Sequence, residues 1–186
     1  MTPAALLLPG IGNSGPDHWQ TLWAHTDAAM ERIGGQDWHH PVCAHWVENL
    51  EAAVRRAGPD RVLVAHSLGC LQVAHWAHSS RTVIRAALLV AVPDPDRCTF
   101  PNEALGFSPL ALKRFAFPST VVASANDPHA DMDDSRRCAD AWGSRLVNIG
   151  DQGHINAASG LGAWLEGRAL LEDLVARSAE PGRHVF

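Results

Sequence analysis

The sequence predicts an α/β protein in which helices cover both faces of a mostly parallel sheet of about six strands. Short apolar runs alternate with longer segments of helical periodicity, which is the pattern of successive β-α-β units. The chain has 186 residues, of which 46% are hydrophobic and 19% are charged. This size and composition are typical of one globular domain. We therefore expect residues 1–186 to form a single three-layer α/β/α domain without a separate cap domain.

The individual elements follow from local composition and periodicity. Apolar, β-branched runs predict strands over 4–8, 61–66, 83–92, 120–125 and 145–149, with a weaker sixth strand around 29–33. Helical spacing of apolar residues predicts helices over 17–28, 47–57, 68–79, 133–142 and 164–177. The connection 93–118 contains five prolines and interrupts this alternation. Loops of that length in a compact domain are usually functional or mobile.

Charge, apolar content and cysteine spacing argue against several classes of protein. The formal net charge of −5, from 20 acidic and 15 basic residues, gives no basic surface for nucleic acid. The N-terminus lacks the pattern of a secretion signal, and no stretch approaches the ~18 apolar residues of a membrane span. The four cysteines form no CxxC pair, which favours reduced thiols. We expect a cytoplasmic protein that binds neither nucleic acid nor membranes.

The strongest indication of chemistry is the segment Ala65-His66-Ser67-Leu68-Gly69, where a β-branched strand runs directly into a helix. The segment resembles a nucleophile elbow, a strained turn that exposes a serine hydroxyl and needs small residues two positions before and after that serine. Gly69 meets this requirement, and Ala65 replaces the usual first glycine. As an alternative, Ser67 only caps the helix that begins at Leu68, since serine is a favoured N-cap residue.

Asp127 and His154 occupy the positions expected of an orienting acid and a general base. Each follows a predicted strand, and the chain order Ser, Asp, His is the order found in enzymes with a nucleophile elbow. Parallel strands place their carboxyl ends at the same edge of a sheet. Asp127 could then orient His154, which would deprotonate Ser67.

Three other residues compete for these roles. His66 adjoins the serine, but strand alternation predicts that its side chain points elsewhere. His129 shares a loop with Asp127. Asp94 follows the fourth predicted strand and is the alternative acid, but the order of the motif favours Asp127.

The loop after the first strand has the spacing Gly-x-Gly-x-x-Gly between residues 10 and 15. This spacing matches a dinucleotide-binding fingerprint, which also needs an acidic residue at a strand end about 20 residues later. Glu31 precedes the end of the weak strand instead. The same glycines suit an oxyanion-binding loop, in which the N–H groups of Ile11 and Leu68 would be the donors.

Six motifs spread along nearly the whole chain match a known family. They are Leu8-Pro-Gly10, Asn13-Ser-Gly-Pro-Asp-His-Trp19, Ala65-His-Ser-Leu-Gly69, Ala123-Ser-Ala-Asn-Asp-Pro128, Gly153-His-Ile-Asn156 and Trp164-Leu-Glu-Gly-Arg-Ala-Leu-Leu171. The chain resembles the small single-domain serine hydrolases of the α/β-hydrolase fold, which include bacterial members and human retinoblastoma-binding protein nine. The resemblance implies a reduced sheet, little or no cap domain, and a triad of Ser67, Asp127 and His154.

Two clusters of potential metal ligands lack the spacing of known sites. The segment 37–45 contains three histidines and one cysteine within the seven positions 39–45, but these four potential ligands match no zinc pattern. Residues 127–134 resemble a calcium loop in composition but lack its central glycine and terminal glutamate. These aspartates favour the N-terminus of the next helix instead. We expect no metal and no cofactor.

Together these observations predict a serine hydrolase that cleaves small carboxylic esters, with amides as a second substrate class, through an acyl-enzyme intermediate. We expect a shallow substrate pocket whose wall includes Asn13, His18, Trp19 and His66 and, from the 93–118 connection, Leu105 and Phe107. The alternatives are an interaction protein with a vestigial triad and, less favoured, a dinucleotide-binding oxidoreductase. No protein partner is predicted.

Overall fold

A computed structural model describes residues 4–179 of the chain. Its strands are β1 (Ala5–Leu8), β2 (Met30–Arg32), β3 (Val62–His66), β4 (Ala86–Val90), β5 (Ser119–Ala123) and β6 (Arg145–Asn148). Its helices are α1 (Trp19–Thr26), α2 (Cys43–Ala57), α3 (Leu68–Ser79), α4 (Met132–Trp142) and α5 (Leu165–Ser178), with a 3₁₀ turn at Ala157–Ser159. Each predicted strand and helix is present, and the 3₁₀ turn is an addition that the sequence analysis did not predict.

The described strands form one six-stranded parallel sheet in the order β2-β1-β3-β4-β5-β6. The chain passes from β1 outward to β2 and then returns across β1 to β3. The winding direction therefore reverses between β1 and β3, where Leu8 lies opposite Ala65. Such a reversal opens a crevice at the carboxyl ends of the two strands, which is where open α/β sheets bind ligands.

Successive side chains of the buried strands point to opposite faces of the sheet and so form two hydrophobic cores. Leu6, Leu8 and Leu63 pack with α2, α3 and α4 on one face of the sheet, whereas Ala5 and Leu7 pack with α1 and α5 on the other. Strands that are covered on both faces read as continuous apolar runs, as these do. The predicted three-layer α/β/α arrangement with a mostly parallel sheet is thereby confirmed. Among the helices of residues 4–179, none combines the length and apolar character needed to cross a membrane.

Several element boundaries differ from the predictions. Strand β4 covers Ala86–Val90 rather than 83–92, and Ala91 directly after it adopts a left-handed φ of 54°. Helix α1 begins at Trp19 because the Nδ1 of His18 accepts the N–H of Gln20 and caps the helix. Local side-chain hydrogen bonds of this kind are difficult to locate from periodicity alone.

The connection 93–118 is anchored to the body of the protein. Phe107 and Phe115 are buried in the core on the α2–α3 side. The backbone of Leu105 accepts a hydrogen bond from Cys43 N–H and donates one to the carbonyl oxygen of Pro41. Only part of this connection is therefore free to face a substrate.

Candidate active site

Ser67 lies on the sharp turn between β3 and α3. Its φ of 53° and ψ of −124° are strained for a non-glycine residue, and its N–H donates to the carbonyl oxygen of Val90 at 2.9 Å. Its hydroxyl makes no capping hydrogen bond to the helix in the described structure, so the simple N-cap alternative does not account for the serine. A Cβ on Gly69 would overlap the carbonyl oxygen of Leu8, which explains the need for glycine there.

Ser67, His154 and Asp127 form a continuous hydrogen-bonded chain. The Nε2 of His154 lies 2.8 Å from Ser67 Oγ, and its Nδ1 lies 3.0 and 2.9 Å from the two carboxylate oxygens of Asp127. The Asp127 side chain is 4% exposed and that of His154 is 11% exposed. Since a carboxylate accepts hydrogen bonds, the neutral imidazole carries its proton on Nδ1. Nε2 is then free to accept the Ser67 proton.

Two loops are joined to hold this geometry. Asp127 follows β5 and His154 follows β6, and the two loops are linked by Ser124 and Asn126. Ser124 Oγ accepts the N–H of Gln152 at 2.9 Å, and Asn126 Oδ1 accepts the N–H of Gly153 at 2.7 Å. The distance between Asp127 and His154 is thus fixed by these side-chain-to-backbone hydrogen bonds as well as by the hydrogen bonds between the imidazole and the carboxylate.

His66 also positions the histidine loop. Its Nε2 lies 2.9 Å from the backbone carbonyl oxygen of His154, which can only accept, so His66 carries its proton on Nε2. The Nε1 of Trp19 donates to the carbonyl oxygen of Ile155 at 2.9 Å. Both side chains thus tie the His154 loop to the body of the protein, and neither contacts Ser67 as a base would.

Asp94 and His129, the alternative acid and base, do not occupy the positions of Asp127 and His154 in the hydrogen-bonded chain. Asp94 pairs with the guanidinium of Arg137 at 3.4 Å. His129 donates its backbone N–H to Asp127 Oδ1 at 2.9 Å, and its ring packs edge-on against the His154 ring at 4.5 Å between centroids. The structure therefore brings Asp127, and not Asp94, to the imidazole of His154.

The loop after β1 approaches the serine closely. A Cβ on Gly10 would lie 2.9 Å from Ser67 Cβ, so only glycine allows this approach without displacement. Ile11 lies in this loop and borders the cavity beside Ser67. Leu68 is the first residue of α3, so its N–H has no partner within the helix. Ile11 and Leu68, the residues predicted to donate to the oxyanion, thus both border the cavity at Ser67.

Arg32, at the end of β2, holds the same loop. Its Nη1 donates to Asn13 Oδ1 at 3.3 Å and to the carbonyl oxygen of Ser14 at 3.2 Å, and its Nη2 donates to Thr21 Oγ1. A dinucleotide site would need an acidic side chain at this strand end to bind ribose. The glycine loop packs on Ser67 and is bound by Arg32, so the geometry does not favour the oxidoreductase alternative.

A cavity of about 240 Å³ opens over Ser67. It is lined by Gly10, Ile11, Asn13, His18, His66, Ser67, Leu68, Pro93, Phe100, Pro101, His129, His154 and Asn156. Asn13, His18 and His66 are therefore placed as predicted.

Three residues predicted to form the pocket wall lie elsewhere. Trp19 is 1% exposed and packs in the core beside Trp23. Phe107 is fully buried, and its ring lies 5.8 Å from that of Trp46. Leu105 is exposed and borders a neighbouring cavity. Large aromatic side chains gain more from full burial than from lining an open cleft, and Phe100 contacts the cavity from the 93–118 connection instead.

Three histidines beside the cavity, His18, His66 and His129, have lowered pKa values and are neutral near pH 7. Burial, with smaller contributions from Arg32 and His154, lowers the pKa of His18 to about 4. Burial also lowers the pKa of His66 well below its usual value, and that of His129 to a smaller extent. Neutral imidazoles at these three positions avoid like-charge repulsion with an imidazolium that would form at His154 during proton transfer.

Sequence reasoning missed the residues that support the site. Arg32 ends a weak edge strand, and only the tertiary structure brings it to Asn13. Ser124 and Asn126 lie within the motif before Asp127, and their small polar side chains are the local signal that could indicate this role.

Acidic residues in both clusters of potential metal ligands have structural roles. Asp37 Oδ1 accepts the N–H groups of His39 and His40, and Asp131 forms a capping box with Asp134 at the start of α4. In the part of the chain that the structure describes, no three His, Cys, Asp or Glu side chains are grouped to hold a metal ion.

Comparison with protein families gives one match, to a family described as serine hydrolase, over residues 5–173. The matched segment contains Ser67, Asp127 and His154. No curated protein matches the chain.

Three solved structures illustrate the similarity of fold. A protein described as a YdeN-like hydrolase from Pectobacterium atrosepticum is 27% identical, with a TM-score of 0.82 over 94% of this chain and 91% of that one. The ydeN gene product of B. subtilis is 17% identical, with a TM-score of 0.75 over 92% and 98%. A monoacylglycerol lipase from Paleococcus ferrophilus is 14% identical, with a TM-score of 0.69 over 94% and 96%. The two less similar structures indicate the α/β-hydrolase fold alone.

Proposed function

Because the chain belongs to the serine hydrolase family, we propose that it hydrolyses small carboxylic esters, with amides as a second substrate class, through a triad of Ser67, His154 and Asp127. The observation that carries this proposal is the unbroken hydrogen-bonded chain from Ser67 Oγ through the imidazole to the Asp127 carboxylate. A serine hydroxyl is a weak nucleophile, and an adjacent oriented base is what activates it.

The first half of the reaction acylates the serine. His154 Nε2 takes the Ser67 proton as Oγ attacks the ester carbonyl carbon, and Asp127 stabilises the imidazolium that forms. The carbonyl oxygen becomes an oxyanion, which the N–H groups of Ile11 and Leu68 bind. When the intermediate collapses, His154 gives its proton to the leaving alcohol and Ser67 keeps the acyl group.

The second half releases the acid. A water molecule loses a proton to His154 and attacks the acyl-enzyme carbonyl, and the same two N–H groups bind the second oxyanion. Collapse returns the proton to Ser67 Oγ and frees the carboxylic acid. The open cavity of about 240 Å³ gives both the substrate and this water access to Ser67.

Esters are favoured over amides as substrates for a chemical reason. An alkoxide or phenolate leaves with less assistance from a general acid than an amine does, and His154 is the one acid placed at Ser67 in the described site. The similarity in fold to a monoacylglycerol lipase is consistent with this preference.

Labelling with a fluorophosphonate tests both the assignment of Ser67 as the nucleophile and the assignment of the protein as a serine hydrolase. We expect stoichiometric phosphonylation of the wild-type protein at Ser67, detected by intact mass and peptide mapping, and none in Ser67→Ala. Ser79→Ala, at the exposed end of the same helix, is the matched control and should label like wild type. A folded wild-type protein that resists the reagent and hydrolyses no p-nitrophenyl ester would support a vestigial triad instead.

A further inference from the structure

Two hydrogen-bond donors beside Ser67 have no acceptor in the described structure. The first is His18. Its Nδ1 accepts the backbone N–H of Gln20 at 3.2 Å, so the proton of the neutral ring is on Nε2. His18 is 5% exposed and lines the cavity, and Nε2 is buried without a hydrogen-bond partner among residues 4–179.

The second donor is the side-chain amide of Asn13, whose orientation is fixed by its neighbours. Its Oδ1 accepts the N–H of Ser14 at 2.7 Å and the Nη1 of Arg32 at 3.3 Å. Both of these groups can only donate, so the assignment of oxygen and nitrogen in the amide is determined. Nδ2 is therefore on the opposite side of the group, and it makes no hydrogen bond to any described residue. Asn13 also lines the cavity.

The described lining of the cavity supplies no charged acceptor for these donors. It includes no Asp or Glu, and the Asp127 carboxylate behind His154 is occupied by the Nδ1 of that histidine. The Nε2–H of His18 is a buried donor without an acceptor, which is costly, and native proteins rarely keep such a group without a reason. An acceptor that arrives with the substrate would remove that cost only in the bound state.

We propose that Asn13 and His18 bind a second oxygen atom of the substrate, so that the preferred substrates are esters with an ether, hydroxyl, carbonyl or carboxylate oxygen near the scissile bond rather than plain hydrocarbon esters. This inference rests on the proposed hydrolase function and names its substrate class. Asn13 and His18 act as specificity-determining residues, and Arg32 acts as a positioning residue that orients the Asn13 amide.

Isosteric ester pairs test the inference. The acyl pair is p-nitrophenyl methoxyacetate and p-nitrophenyl butanoate, and the alcohol pair is 2-methoxyethyl acetate and butyl acetate. Each pair differs by one oxygen in place of one CH₂. A third comparison, of monomethyl succinate with methyl pentanoate, asks whether a carboxylate is the acceptor. The ratio of kcat/KM within each pair is compared between enzyme forms, so that differences in intrinsic reactivity cancel.

Two variants remove the donors while keeping their structural contacts. Asn13→Asp keeps an oxygen for Ser14 and Arg32 but replaces the Nδ2 donor with an acceptor. His18→Asn keeps a side-chain acceptor for the first turn of α1, and its own amide N–H groups end one atom short of the position of the imidazole Nε2 donor. His25→Asn, at an exposed position on the same helix, is the matched control.

We expect the oxygenated-to-hydrocarbon ratio of at least one pair to fall about tenfold in Asn13→Asp and in His18→Asn, which is the effect of one hydrogen bond. The ratio in His25→Asn should equal that of wild type. Ratios within twofold of wild type for all three pairs, in variants that fold by circular dichroism, would overturn the inference. Fluorophosphonate labelling separates this inference from the proposed hydrolase function. Normal labelling of Ser67 with unchanged kcat/KM ratios contradicts only the role of Asn13 and His18. Absence of both labelling and turnover contradicts the hydrolase function and the inference together.

Discussion

A Cβ on Gly10 would lie 2.9 Å from the Cβ and 3.3 Å from the Oγ of Ser67. The loop that carries Ile11, the proposed oxyanion donor, therefore lies directly against Ser67, the proposed nucleophile. A methyl group at this position must displace either the loop or the serine, and displacement of either one separates the donor from the carbonyl oxygen that it would bind.

Gly10→Ala should lower kcat about 10²-fold, which is the effect of removing one oxyanion donor. Gly15→Ala is the control in the same loop, because a Cβ there meets no described atom within 4 Å. Steady-state kinetics on a short p-nitrophenyl ester would measure kcat of both variants, and thermal unfolding would verify that each variant is folded. Equal effects of the two substitutions would show that the contact between Gly10 and Ser67 is not important for catalysis.

Ser67→Ala and His154→Ala should each reduce ester turnover by several orders of magnitude, and the double variant should be about as slow as either single variant. The triad works as a unit, so its losses do not add. The 2.8 Å contact between His154 Nε2 and Ser67 Oγ is the basis of this expectation. Kinetics of the three variants, corrected for spontaneous hydrolysis, would measure it. A double variant that is slower by the product of the two single effects would indicate that the residues act independently.

Asp127→Asn should lower kcat by about 10²–10⁴, because the amide no longer stabilises the imidazolium and favours the wrong tautomer. Asp94→Asn should have a small effect on kcat, since its partner is Arg137 and not His154. Comparing kcat of the two variants on one ester separates the candidates for the acid. If Asp94→Asn lowered kcat more than Asp127→Asn did, Asp94 and not Asp127 would be the acid that orients His154.

The positions of Ser67, Asp127 and His154 could be predicted because each depends on local pattern plus one property of parallel sheets. A buried strand that ends at a polar residue places that residue at the carboxyl edge, whatever the details of packing. The layers of the fold follow in the same way from alternation between apolar strands and amphipathic helices.

The walls of the cavity could not be predicted because they depend on contacts between distant segments. Phe107 packs on Trp46 of α2 next to a bridge between Leu105 and Val42, and this contact between segments 63 residues apart leaves no periodic signal. Arg32 reaches Asn13 because β2 lies at the edge next to β1. Apolar or basic character alone does not distinguish such positions from ordinary surface or core positions.

Phe100→Ala should shift the preferred acyl chain to greater length. Phe100 and Pro101 border both the cavity over Ser67 and a neighbouring cavity of about 330 Å³, so removal of the Phe100 ring should extend the first cavity towards the second. In wild type we expect kcat/KM for p-nitrophenyl esters to peak at short to medium chains, since each added CH₂ contributes up to about 0.8 kcal/mol only until the cavity is full. Leu105→Ala is the control because it borders the second cavity alone. An unchanged optimum in Phe100→Ala would place the acyl chain elsewhere.

Acid should destabilise the protein between about pH 6.5 and pH 4 through His18. Burial holds the pKa of this residue at about 4 in the folded state, whereas the unfolded chain has the ordinary value of 6.5. Over this interval the unfolded state binds a proton that the folded state does not, so the free energy of unfolding decreases as the pH falls. The difference in pKa corresponds to at most about 3 kcal/mol. His66, whose pKa is also lowered, acts in the same direction.

Urea unfolding at several pH values between 7.5 and 4 would measure this dependence. We expect the free energy of unfolding of wild type to decline across the interval, and that of His18→Asn to decline less because one of the two buried imidazoles is gone. His25→Asn should follow wild type, since this residue is exposed and its loss leaves both buried imidazoles in place. Parallel curves for wild type and His18→Asn would show that His18 is protonated equally easily in the folded and unfolded states.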